Sequence, residues 1–193
     1  MKKAVSVLPQ GYQFCLSVDL QKDKKLALLM NLLALFVGVA MAVPMHFAVP
    51  ITTLFDMRQG IGAYFARFGV LLIGILLYMV LHEAVHGIAM KLCGTKKVKY
   101  GFTGLYAFAG STDYYGKAAY IFIALAPVVL WGIVLLIINL FVPAAWFWVV
   151  YMIQIVNISG AAGDAYVTIR FAKLPKDILV QDSGTAMTVY SKN

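Results

Sequence analysis

Four apolar runs set the terms for this chain. They cover residues 26–49, 64–92, 118–142 and 144–169, and each reaches the roughly 20 residues that a helix needs to cross a bilayer. In hydrocarbon every backbone N–H and C=O must be paired within the segment, so such runs fold as helices. Composition agrees: 62% of the 193 residues are hydrophobic and 12% are charged, where soluble domains carry about half and about a quarter. The expected fold is an α-helical integral membrane protein with about four transmembrane helices. Pro44 breaks the first span near its end, Pro127 lies inside the third, and Trp146 and Trp148 stand at the entrance of the fourth, where an interface belt suits them. The first span does not read as a cleavable signal. It follows 25 residues that already hold five lysines, and signal peptides have shorter charged and apolar regions.

Basic residues orient the spans. Lys2, Lys3, Lys22, Lys24 and Lys25 precede the first. Lys91, Lys96, Lys97, Lys99 and Lys117 lie between the second and third, and Arg170, Lys173, Lys176 and Lys192 follow the fourth. Only Arg58 and Arg67 fall on the other side. This 14-to-2 split predicts a multi-pass protein of the cell membrane with both termini cytoplasmic. The net charge of +8 then reads as flanks lying against anionic lipid, with no nucleic-acid partner expected. Cys15 and Cys93 have no spacing that suggests a disulfide framework or a zinc ribbon.

The chain divides into a cytoplasmic N-terminal segment, 1–25, a four-span core, 26–169, and a cytoplasmic tail, 170–193. Three pieces outside the spans have strand character. Residues 12–20, YQFCLSVDL, alternate with Tyr12, Phe14, Leu16, Val18 and Leu20 on one face, as a strand does. Residues 98–110 place Val98, Tyr100, Phe102, Tyr106 and Phe108 at even positions, and Gly101 and Gly104 break the run. That pattern suits a short β-hairpin between helices two and three, or a plain cytoplasmic loop. The tail ILVQDSGTAMTVY is the third.

The second span contains HEAVH, residues 82–86, with the chain's one glutamate, Glu83, between two of its three histidines. On a helix, His82 and His86 lie one turn apart on one face and can share an ion. Glu83 can reach a water on that ion without ligating it. This is the H-E-x-x-H arrangement of two zinc ligands and a general base. Shuffling three His and one Glu through the chain would produce it roughly twice in 10,000 trials, so the motif is specific. Its depth adds weight, because a charged side chain at a bilayer centre costs about 2.5–3.5 kcal/mol on insertion scales. The structural alternative is a packing cluster in which a protonated Glu83 bonds a histidine.

A catalytic zinc usually has three protein ligands and one open position. No second glutamate is available. His46 lies at the far end of the first span, and Cys93 is two turns past His86, directed at the loop. Asp19, Asp23, Asp56, Asp177 and Asp182 lie in flanks and Asp113 in a loop, so only Asp164 sits within a span. At 1.5 Å per residue Asp164 is about 9 Å inside Arg170, while His86 and His82 are about 7.5 and 13.5 Å inside Lys91. All three share one layer near the cytoplasmic face. Ser159, Gly160, Ala161, Ala162 and Gly163 allow the close helix approach that an aspartate needs to reach an ion on its neighbour.

HEAVH in one span and NISGAAGD in a later one resemble the site-2 protease group of intramembrane metalloproteases, which pairs H-E-x-x-H with an aspartate ligand in an N-x-x-P…D-G motif. Gly160 stands where that group has proline, and Ala165 follows the aspartate in place of glycine. The resemblance implies substrate binding by Asn157 and metal ligation by Asp164. The runs HEAVHGIAMKLCGTKKVKYGFTGLYAFAG, IALAPVV, NISGAAGDAYV and LPKDILVQDSGTAMTVY resemble more closely the small bacterial membrane family called "putative zincin peptidases", a domain of unknown function. The expected activity is that of a zinc-dependent intramembrane peptidase. His82, His86 and Asp164 would hold Zn²⁺, Glu83 would be the general base, and a membrane protein or peptide would be the substrate. The hairpin would offer its edge to an extended substrate. Two other classes fit part of the pattern, a metal transporter and a non-catalytic metal-binding scaffold. Four spans with one intramembrane glutamate are few groups for a transport pathway, and metal uptake into liposomes would separate the two.

Overall fold

A computed structural model describes residues 4–104 and 107–192. Lys2 and Lys3 of the basic flank, and Tyr106 of the even-numbered run, lie outside them. Strand β1 (Tyr12–Asp19) leads into helix α1 (Lys24–Ala48), a short 3₁₀ turn (Ile51–Phe55) and helix α2 (Ile61–Leu92). Strands β2 (Lys99–Phe102), β3 (Ala107–Gly110) and β4 (Tyr114–Gly116) precede helix α3 (Lys117–Phe141). Helices α4 (Ala144–Gly160) and α5 (Ala162–Ala172) follow, then strands β5 (Leu179–Asp182) and β6 (Ala186–Lys192). Among the described residues, four stretches are long and apolar enough to cross a membrane: α1, α2, α3 and the combined Ala144–Ala172. Large apolar side chains stand exposed along them, among them Phe36, Leu72, Ile73, Leu136 and Leu140.

The helices depart from the expected spans in two places. Pro44 does not end α1, which continues to Ala48. A proline removes one N–H from a helix without forcing it to stop where the freed groups can be satisfied. The fourth span is not one continuous helix. It breaks at Ala161, whose N–H turns back to the Ser159 carbonyl, in a run where Gly160 and Gly163 have low helix propensity.

Two compact units divide the chain, and each has its own core. The first comprises residues 1–30, 81–127 and 163–193. Four of its strands form an antiparallel sheet in the order β1-β6-β5-β4, and β2 and β3 pair separately. Strands β1 and β6, far apart in the sequence, are therefore neighbours, with Tyr12 opposite Lys192 and Asp19 opposite Ala186. A register shift between Phe14 and Leu16 interrupts the expected alternation. A bulge sets two residues against one, and it leaves Phe14 exposed while Val18 is buried. Val18, Val180 and Val189 of the sheet pack with Met90 of α2, Ile123 of α3 and Phe171 of α5. Lys117 Nζ donates to the carbonyls of Ala172 at 2.5 Å and Leu174 at 2.7 Å, which closes the C-terminus of α5. Cys93 is buried in this core and is not directed at the loop.

The second unit comprises residues 31–80 and 128–162. Trp148 and Val149 pack on Leu54 of the 3₁₀ turn, and Trp148 Nε1 donates to the Val49 carbonyl at 2.9 Å. Arg67 is buried and donates to the carbonyls of Leu54 and Asp56. His46 Nδ1 accepts from the Ile51 N–H at 3.1 Å. His46 thus serves the turn after α1.

Candidate metal centre

The centre lies within the first unit. His82 and His86 lie one turn apart on α2, their ring centroids 4.9 Å apart and nearly perpendicular. The break at Ala161 places Asp164 in the first turn of α5, where the helix dipole favours a carboxylate. His82 Nε2 stands 3.5 Å from one Asp164 oxygen and His86 Nε2 stands 3.7 Å from the other. Charge-assisted hydrogen bonds are about 2.7–2.9 Å long. Tetrahedral zinc, with bonds of about 2.0–2.2 Å to nitrogen and oxygen, holds its ligand atoms about 3.3–3.6 Å apart. The spacing is longer than a close charge-assisted hydrogen bond and near that of donors around one ion. One ligand atom from each residue lies within 4.8 Å of the others. The side chains retain 11–19% exposure.

Neighbouring groups fix these side chains. His86 Nδ1 lies 2.9 Å from the Ile123 carbonyl of α3. A carbonyl only accepts, so Nδ1 carries the proton and Nε2 keeps its lone pair toward Asp164. Glu83, the next residue round the helix from His82, is hydrogen-bonded by the backbone of Ala109 in β3. The hairpin therefore reaches the centre. Its register pairs Lys99 with Gly110 and Phe102 with Ala107. On one side Tyr100 lies against Gly87, with no room between them for a Cβ. On the other, Gly110 abuts the backbone of Ser183 and Gly184.

Asp182 holds that second contact. Its main-chain oxygen accepts from the Ser111 N–H at 2.7 Å, Oδ1 accepts from the Gly184 N–H at 2.8 Å, and the Tyr120 hydroxyl donates to Oδ2 at 3.2 Å. Burial pushes the Asp182 carboxyl up to about 6. Sequence reasoning placed Asp182 in a flank and missed this clasp. It also missed Ala109 and Ile123, which act through backbone atoms and leave no side-chain signature.

Asn157 belongs to the second unit. It is fully buried. Tyr78 OH donates to its Oδ1 at 2.9 Å, and its Nδ2 donates to the Val128 carbonyl at 3.2 Å and to Gln154 Oε1 at 3.4 Å.

A sequence profile of the family described as "Putative zincin peptidase" matches residues 75–179. This chain belongs to that family. The matched segment holds His82, Glu83, His86 and Asp164 and ends before Asp182. A curated relative, an "Uncharacterized 24.7 kDa protein in gap 5'region" of Pyrococcus woesei, is 30% identical over 122 residues. The alignment covers 61% of this chain and 53% of the relative, so the chain spans about half the relative's length. No solved structure matches. The family description points to a metallopeptidase that binds zinc, and the His82, His86 and Asp164 group could hold that ion.

Proposed function

We propose that this protein is a zinc-dependent intramembrane peptidase of the site-2 protease type, acting on membrane-embedded or membrane-proximal peptides. The observation that carries the reading is the convergence of His82, His86 and Asp164 at ion-sharing distances beside Glu83. Zinc, when bound, supplies Lewis acidity that activates water near neutral pH and polarises a carbonyl. Glu83 takes the proton of the attacking water and returns it to the leaving amine. The bond from the Ala109 backbone aims its carboxylate while it does so. Strand β3 runs past Glu83, and the β2–β3 hairpin is the element we assign to holding an extended substrate beside it. The deciding experiment is metal analysis of the detergent-purified protein together with cleavage of a single-span model substrate. About one zinc per chain, lost in His82→Ala and His86→Ala, supports the reading. Equal zinc in both variants and wild type removes it.

Gly110→Ala tests the hairpin. A Cβ at this position falls on backbone atoms of Ser183 and Gly184, which cannot rotate away, so β3 must move. Displacing a positioning element by about 1 Å can cost about 10²-fold in rate. Cleavage should fall by about 10–10² while zinc stoichiometry stays at the wild-type value. Unchanged cleavage would detach the hairpin from the reaction.

The apolar helices lie in the cell membrane in this reading, with both termini cytoplasmic. Single-cysteine labelling should reach a site at Gln59 from outside and a site at Lys97 from the cytoplasm. Labelling at Gln59 from the cytoplasmic side would reverse the orientation.

A further inference from the structure

In an α-helix the carbonyl of residue 123 is matched by the N–H of residue 127. In α3 that residue is Pro127, which has no N–H. Its ring also crowds the carbonyl four residues back and tilts it out of the helix. The carbonyl released in this way is that of Ile123, the one 2.9 Å from His86 Nδ1. Two facts separated in the sequence, a proline inside an apolar helix and a histidine on another, meet in one hydrogen bond. We propose that Pro127 is a positioning residue of the metal centre: it frees the Ile123 carbonyl to hold His86 with Nδ1 protonated and Nε2 ready to ligate.

The proposal rests on the assignment of His82, His86 and Asp164 as a metal centre, but its consequence for the His86 ring does not require the ion. A neutral imidazole has two tautomers, and the partner of one nitrogen decides which is present. His86 is 9% exposed, so water cannot substitute freely for the carbonyl. Replacing Pro127 by alanine restores an N–H inside α3 that competes for the Ile123 oxygen. The bond from His86 Nδ1 to that carbonyl then weakens, and the tautomer that blocks Nε2 becomes populated. Loss of an outer partner of a metal-bound histidine typically lowers metal affinity by about 10–100-fold.

The test uses the full chain in detergent, wild type and Pro127→Ala, with Pro44→Ala as a proline control in α1. Zinc affinity is measured by competition with a chelator. The His86 tautomer is read by ¹⁵N NMR of histidine-labelled, zinc-free protein along a pH series, at the alkaline end where the imidazole is neutral, and thermal stability of the zinc-free form is measured alongside. Expected are an Nδ1–H tautomer in wild type, mixed tautomers and about 10–100-fold weaker zinc binding in Pro127→Ala, and no change of either in Pro44→Ala. A proline with only a structural role would shift thermal stability and leave the tautomer and the affinity of the folded protein alone, and that result overturns the proposal. If Pro127→Ala fails to fold, the wild-type spectrum decides: an Nε2–H tautomer at His86 refutes it. Failure of wild type to bind zinc would instead refute the metal centre, leaving the tautomer comparison to be scored by itself.

Discussion

Glu83→Gln will keep its zinc and lose most of its hydrolysis. Glutamine has nearly the same shape as glutamate, and its carbonyl oxygen can still accept the bond from the Ala109 backbone. His82, His86 and Asp164 are unchanged, so the set of ligand atoms within 4.8 Å remains whole. What disappears is a carboxylate able to accept a proton. General-base loss is typically worth about 10²–10⁴ in rate, or about 3–5 kcal/mol in the barrier. Zinc content and cleavage of one model substrate, measured on the same preparations, check the split. A variant that cleaves like wild type would return Glu83 to a structural or transport role. A variant that loses zinc would make Glu83 a ligand, against the geometry in which the two histidines and Asp164 face one another.

The grouping of His82, His86 and Asp164 was legible because its signals are local and rare. HEAVH needs only the helical repeat to bring His82 and His86 to one face. Asp164 follows by elimination, since one aspartate alone sits inside an apolar run. The strands were legible as strands, but their partners were not. Alternation in residues 12–20 says that one face is apolar; it does not say that Tyr12 lies opposite Lys192. The bulge near Cys15 defeats even the alternation, because an inserted residue reverses the faces beyond it. The helix break at Ala161 was present in the glycines around it, yet small residues permit both a break and close helix packing, and sequence alone does not choose. The groups that aim the site were hidden for another reason. The Ile123 carbonyl and the Ala109 backbone are common to every residue, and only the fold selects these two.

Asp164→Ala will lower zinc affinity and hydrolysis together. Alanine is the strongest helix former, so α5 should persist, with a loss of about 0.3–1 kcal/mol from removing a carboxylate at its N-terminus. The fold therefore survives while the ion loses one of three protein donors. His82 and His86 remain on α2 with no third protein donor at the 3.5 and 3.7 Å positions. The drop in zinc affinity should exceed the about 10–100-fold that follows loss of an outer-shell partner, because a direct ligand is gone. Cleavage should fall in proportion to bound zinc and recover partly as zinc is added, which Glu83→Gln cannot do. Zinc titration of cleavage therefore separates the two carboxylates by role, one that holds the ion and one that moves a proton. If Asp164→Ala binds zinc as tightly as wild type, Asp164 is not a ligand. The 3.5 and 3.7 Å approaches would then be those of an aspartate that merely orders two histidines at the start of α5.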